Sequence, residues 1–133
     1  MRYLGIDYGT KRVGIAVSDE SASFALPDRV LPRTSRLVET IKLLCSDKKV
    51  GAIVLGESKN FKGEDNPIMS MIRDFKKELE TEIGLPVHLE PEFLTSAEAE
   101  RIQGKTKMHD ASAAALILQS FLDKLRNNND HML

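Results

Sequence analysis

Residues 2–8 and 12–18 constrain the chain most, because they read as two strands joined by a tight turn. In the second, Val13, Ile15 and Val17 alternate with Gly14, Ala16 and Ser18. Successive side chains on a strand point to opposite faces, so this alternation sets a branched face against a small one. Tyr8-Gly9-Thr10-Lys11 supplies the turn chemistry of a hairpin. In the first strand Leu4 and Ile6 fall on one face, and Tyr3, Gly5 and Asp7 on the other. With a simple hairpin register, Asp7 shares its face with Gly5, Gly14 and Ala16. A carboxylate at the end of a central strand is costly unless it is paired, hydrogen-bonded or bound to metal.

The rest of the chain supplies layers for this hairpin. Residues 25–32 predict a third strand, and Pro27 and Pro32 favour an edge position for it. Thr34 or Ser35 can cap a helix to about Lys48, with Leu37, Ile41, Leu44 and Cys45 on its apolar face. Gly51-Ala52-Ile53-Val54-Leu55 suits a buried parallel strand. A polar loop from Gly56 to Asp65 follows. Asn66-Pro67 begins a helix carrying Ile68, Met71, Ile72, Phe75 and Leu79, which Gly84 ends. Residues 86–90 form a short strand. Thr95-Ser96-Ala97-Glu98 has capping-box spacing for a helix broken at Gly104. The last helix runs from Asp110 to about Asn127, and 127–133 is a polar, fraying tail. This order predicts an α/β fold: a five-stranded mixed sheet with helices on both faces, for which 3-2-1-4-5 is a plausible strand order that the sequence does not dictate. A chain of 133 residues fits one such domain, spanning 1–126.

Charge limits the partners. With 19 basic and 20 acidic residues the net charge is -1, so nothing draws the whole molecule to a polyanion. Nucleic acid would have to be held by a local basic patch or by bound metal. The candidate phosphate contacts are Lys11 and Arg12 at the hairpin tip, Lys59 and Lys62 in the polar loop, and Arg101, Lys105 and Lys107 before the last helix. Each could equally do no more than solvate the surface. Tyr8 and Phe93 are the aromatic rings expected near the site. Cys45, the single cysteine, reads as a buried structural thiol. No apolar run approaches the ~20 residues of a membrane span, and no signal peptide is visible, so a cytoplasmic location is expected.

Three acids stand at positions that a doubly covered sheet can bring to one rim. Asp7 ends the first strand, Glu92 follows the last, and Asp110 opens the final helix. Singly, Asp7 could be a turn residue, Asp110 an ordinary helix cap, and Glu92 a solvated loop acid in competition with Glu90. The small face around Gly5, Gly14 and Ala16 and the small residues Ala111, Ala113, Ala114 and Ala115 could pack together, setting Asp110 beside Asp7. Gathered carboxylates repel one another, and a hard cation, Mg²⁺ or Mn²⁺, is their natural neutraliser.

At these residues the chain resembles the YqgF/RuvX family, which has an RNase H-like fold. The resemblance spans roughly residues 2–124. Its strongest segment is Gly5-Ile6-Asp7-Tyr8-Gly9-Thr10-Lys11-Arg12-Val13-Gly14-Ile15-Ala16-Val17-Ser18-Asp19. A second is Asp110-Ala111-Ser112-Ala113-Ala114-Ala115-Leu116-Ile117-Leu118-Gln119-Ser120-Phe121-Leu122, and a third is Ile53-Val54-Leu55-Gly56, with Asn60 and Gly63 in the loop. The resemblance implies a metal-dependent nuclease acting in 5′-end maturation of pre-16S ribosomal RNA, with Asp7, Glu92 and Asp110 as catalytic metal ligands. It also admits a Holliday junction resolvase acting on branched DNA, or a non-catalytic nucleic-acid-binding or ribosome-assembly module. The implied partners are precursor rRNA or branched DNA and a ribosomal particle, with the chain a monomer or homodimer. The sequence departs from the family near the second acid, where Asp-Glu-Arg is common. Here Pro91-Glu92-Phe93 keeps the glutamate and loses a bidentate phosphate partner.

Overall fold

A computed structural model describes residues 1–58, 68–92 and 108–131 of the chain; at 58, 92, 108–110 and 128–131 the description is of the backbone alone. The strands are β1 (Arg2–Tyr8), β2 (Arg12–Ser18), β3 (Ala25–Pro32), β4 (Val50–Ser58) and β5 (Val87–Glu92). The helices are α1 (Leu37–Asp47), α2 (Met69–Ile83) and α3 (Met108–His131). The sheet order is β3-β2-β1-β4-β5, the plausible order given above. β2 runs antiparallel to β1 and β3, whereas β4 is parallel to β1 and β5 to β4.

The two faces of the β1–β2 hairpin select different neighbours. Leu4, Ile6, Val13 and Ile15, with Ile53 and Leu55 of β4, form one core with Leu37 and Ile41 of α1 and Ile72, Phe75 and Leu79 of α2. Burying each such branched side chain contributes about 1.5–3 kcal/mol, which is why two helices stay on this face. On the other face Ala16 and Val54 pack with Ala114, Leu118 and Leu122 of α3. The small residues let this helix come close. A Cβ added at Gly5 would stand 2.7 Å from the Leu118 Cβ and 2.9 Å from the Ala114 carbonyl oxygen.

Several boundaries differ from those read in the sequence. α1 begins at Leu37 after Arg36, with no side-chain cap. Thr34 instead accepts the Arg36 N–H through Oγ1 at 3.3 Å, and so forms a turn ahead of the helix. β4 takes in Gly56, Glu57 and Ser58, assigned above to a loop, and β5 takes in Pro91 and Glu92. Pro91 is tolerated because β5 is an edge strand. α3 starts at Met108 and reaches His131, past the expected end at Asn127. Asp110 therefore lies within its first turn and is not its cap. Gly84, with φ 78°, ends α2 as expected. The Asn66-Pro67 helix start, the helix expected from Thr95 and its break at Gly104 lie outside the described residues.

Candidate active site

Asp7 is the penultimate residue of β1, opposite Gly14, and Gly5 lies opposite Ala16. Its face is thus the small-residue face, and α3 is the helix that covers it. The direction of α3 matters here. Ala114 and Leu118 lie over Gly5. Phe121 packs on Tyr3, with ring centroids 5.6 Å apart. Higher numbers on α3 thus meet lower numbers on β1, and the two run antiparallel. One turn back from Ala114, about 6 Å along the helix, the backbone reaches Asp110. Two residues on from Gly5, about 7 Å along the strand, β1 reaches Asp7 in the same direction. The first turn of α3 therefore lies at the Asp7 end of β1.

Glu92 is the last residue of β5, opposite Ser58 of β4. Register carries across the sheet from Ile6 to Leu55 to Leu89, so Glu90 is level with Asp7 and Glu92 lies two residues beyond. The parallel strands β1, β4 and β5 all end at this rim. Two strand spacings, about 10 Å, separate β1 from β5.

Glu90, the rival second acid, has another role. It is 3% exposed and its Oε2 accepts the Lys124 ammonium at 2.6 Å and the Ser120 hydroxyl at 3.0 Å. Both partners lie far along α3 from Asp110, the nearer by ten residues or about 15 Å. The sequence reading missed this role for Glu90. A lysine matched to a buried strand acid is visible only once the helix is laid on the sheet.

The hairpin tip is well defined. Gly9 donates its N–H to the Arg12 carbonyl at 3.0 Å, and Lys11 and Arg12 are exposed. Tyr8 does not lie beside Asp7. Its ring is on the opposite face of β1, stacked on Phe75 at 4.3 Å with the Arg33 guanidinium 4.8 Å over it. It is therefore not the stacking platform expected for a base. Lys59, Lys62, Phe93, Arg101, Lys105 and Lys107 lie outside the described residues. Asp19, which closes the strongest sequence segment, lies at the far end of β2 and accepts N–H groups of Ser23 and Phe24 at 2.8 and 3.0 Å. Those bonds organise a turn away from the rim.

Among the described residues no three His, Cys, Asp or Glu side chains cluster as a metal site. Glu90 is engaged by Lys124 and Ser120, and the side chains at 92 and 110 lie outside the described residues. Carboxylate oxygens such as those of Asp7 are the donor chemistry that suits Mg²⁺ or Mn²⁺. Among the described residues no helix is long and apolar enough to cross a membrane.

Comparison with known proteins agrees with this architecture. The family described as "RuvX: Holliday junction resolvase" matches residues 1–124. A protein of Maridesulfovibrio salexigens named "Putative pre-16S rRNA nuclease" is 39% identical over 132 residues, covering 92% of this chain and 98% of its own. One of the same name from Desulfitobacterium hafniense is 35% identical, covering 97% of this chain and 96% of its own. Among solved structures, T. thermophilus RuvC in complex with Holliday junction substrate superposes with a TM-score of 0.62 at 16% identity, over 95% of this chain and 96% of that one. The fowlpox virus resolvase bound to Holliday junction DNA gives 0.59 at 13% identity, over 94% and 99%. At such identities the likeness concerns the fold, which is RNase H-like.

Proposed function

The chain belongs to the RuvX family, and from that premise we propose that it is a metal-dependent nuclease that hydrolyses phosphodiester bonds in the 5′-end maturation of pre-16S ribosomal RNA, in the cytoplasm. The observation that carries this reading is the antiparallel seating of α3 on the Asp7 face of β1, with Ala114 over Gly5. It supports reading Asp7 and Asp110, 103 positions apart in the chain, as partners at one rim. Strand alternation gives position 92 the same face as His88, which stacks on Phe121, and Glu90, which pairs with Lys124.

Asp7, Glu92 and Asp110 would hold the cation. A bound Mg²⁺ or Mn²⁺ supplies charge neutralisation and an acidified water for phosphodiester hydrolysis. The chain's own residues do the rest. Lys11 and Arg12 hold backbone phosphates at the hairpin tip, where the Gly9–Arg12 bond keeps the turn closed. Glu90 and Lys124 tie β5 to α3, and so keep the two elements that carry Glu92 and Asp110 in fixed relation.

A second reading, Holliday junction resolution, is favoured by the family's description. It requires two sites related by symmetry, and hence a dimer.

The test compares a pre-16S 5′-leader RNA with a four-way DNA junction, with and without Mn²⁺ or Mg²⁺. Wild type is expected to cleave the RNA only with metal, and Asp7→Asn to lose at least about a hundredfold in rate. Mn²⁺ is also expected to raise the melting temperature of wild type and not that of Asp7→Asn. Cleavage of the junction alone would transfer the function to the resolvase. No metal-dependent cleavage of either, with Asp7→Asn indistinguishable from wild type, would leave a binding module.

A further inference from the structure

The hairpin tip gathers more positive charge than the sequence assigns to it. Pairing of β2 with β3 sets Arg12 opposite Pro32, so the chain leaving β3 returns to the tip. There the Arg33 main-chain N–H donates to the Lys11 carbonyl at 3.2 Å. Its guanidinium Nη1 donates to the Thr10 carbonyl, also at 3.2 Å, and the group lies 4.8 Å over the Tyr8 ring. Three residues on, exposed Arg36 closes the turn into α1. Neither 8–18 nor 29–38 contains an acidic residue.

Arg33 differs from an ordinary surface arginine. One edge of its fork and its flat face are already engaged, so little conformational freedom remains for binding to remove. Guanidinium carries five N–H donors, and the Thr10 carbonyl takes one of its ends. The remaining donors suit an oxyanion, and such a preordered fork is a stronger phosphate partner than a mobile lysine.

The surroundings give the surface a direction. A cleft of about 400 Å³ beneath Tyr8 and Arg33 is lined on its other side by Met71, Asp74, Phe75 and Glu78 of α2. Asp74 and Glu78 repel phosphate, so a polyanion is turned away from the cleft and kept on the hairpin and the β3–α1 turn. That track begins at the Asp7 end of β1 and crosses two strand spacings, about 10 Å.

We infer that Arg33 and Arg36 join Lys11 and Arg12 in one phosphate-binding surface at the hairpin tip, which holds the nucleic-acid backbone on the Tyr8 side of the rim where β1 ends. The inference rests on the nuclease reading for its substrate, and binding tests it separately from cleavage.

The experiment measures fluorescence anisotropy of labelled pre-16S 5′-leader RNA, in chelator so that no cleavage occurs, over a series of salt concentrations. Arg36→Ala is expected to weaken binding about three- to tenfold and to flatten the slope of log affinity against log salt by about 0.7–0.9, the signature of one lost phosphate contact. Arg33→Lys keeps the charge without the fork. It is expected to weaken binding comparably while leaving the melting temperature within about 2 °C of wild type. Lys77→Ala, exposed on α2, is the control and should bind as wild type does. Wild-type affinity and salt slope in both arginine variants, or an equal loss in Lys77→Ala, would overturn the inference. Wild type that cleaves RNA while both variants keep full affinity removes the surface and leaves the nuclease. Wild type that binds without cleaving, and loses binding in the variants, removes the nuclease and leaves the surface. Wild type that binds no RNA removes both.

Discussion

Lys124 on α3 donates to the buried Glu90 carboxylate on β5 at 2.6 Å, and so joins the sheet edge to the only described helix on that face. The lysine side chain is 59% exposed and the glutamate's 4%. The pair is therefore asymmetric: water still reaches the cation, while the anion depends on Lys124 and Ser120. Removing the cation should cost less than breaking a fully buried pair. Lys124→Ala is expected to destabilise the fold by about 1–3 kcal/mol, read from urea denaturation. Glu90→Gln should cost less than Lys124→Ala, because a neutral amide does not leave an unpaired charge in the sheet. Equal wild-type stability in both would show that the pair does not hold the edge strand.

Gly5 is the point of closest contact between β1 and α3. A methyl group there meets the Ala114 carbonyl oxygen at 2.9 Å and the Leu118 Cβ at 2.7 Å, neither of which is the mobile end of a side chain. Gly5→Ala should push the helix off the sheet, costing about 1–3 kcal/mol. On the proposed function, metal-dependent cleavage should fall more than stability explains, because the same displacement carries the first turn of α3 away from the Asp7 end of β1. Assays at a temperature where the variant is fully folded separate the two effects.

Asp19 predicts an acid-sensitive turn. Its carboxyl is lowered from 3.8 to about 2, first by the Phe24 N–H and then by the Ser21 hydroxyl, with Ser23 adding a further N–H. The folded state therefore holds the proton less tightly than the unfolded chain. The resulting stability is present above about pH 4 and is lost as pH falls from about 4 towards 2. In that window the urea midpoint of wild type should fall more steeply than that of Asp19→Ala. Parallel curves would refute the assignment.

Cys45 is buried on α1, and burial raises its thiol to about 11. The thiolate is then scarce near neutral pH, and a thiol reagent should modify the native protein only as fast as the chain opens. Rapid labelling without denaturant would contradict its place in the core.

The period-two pattern of 12–18 decided the β1–β2 hairpin and its register, since a one-residue slip would move every branched side chain to the wrong face. β4 was legible instead as a continuous apolar run, Gly51 to Leu55, and the sheet order was one that the element order allows without dictating it. Strand ends were harder to read. Gly56, Glu57, Pro91 and Glu92 are poor strand formers by composition and pair because a neighbouring strand is there to receive them. The Thr34 cap failed for a related reason: its hydroxyl is taken by a turn two residues early.

Within the rim, the sequence by itself determined that Asp7 lies on a face of small residues and that an alanine-rich helix could cover it. Only the tertiary structure decided which way that helix runs, and thus that its first turn lies at the Asp7 end. It alone committed Glu90 to Lys124 and brought Arg33 back to the hairpin tip. Local periodicity follows from backbone geometry within a few residues. Helix direction, ion pairing and charge clustering follow from contacts between segments far apart in the chain, which local patterns do not encode.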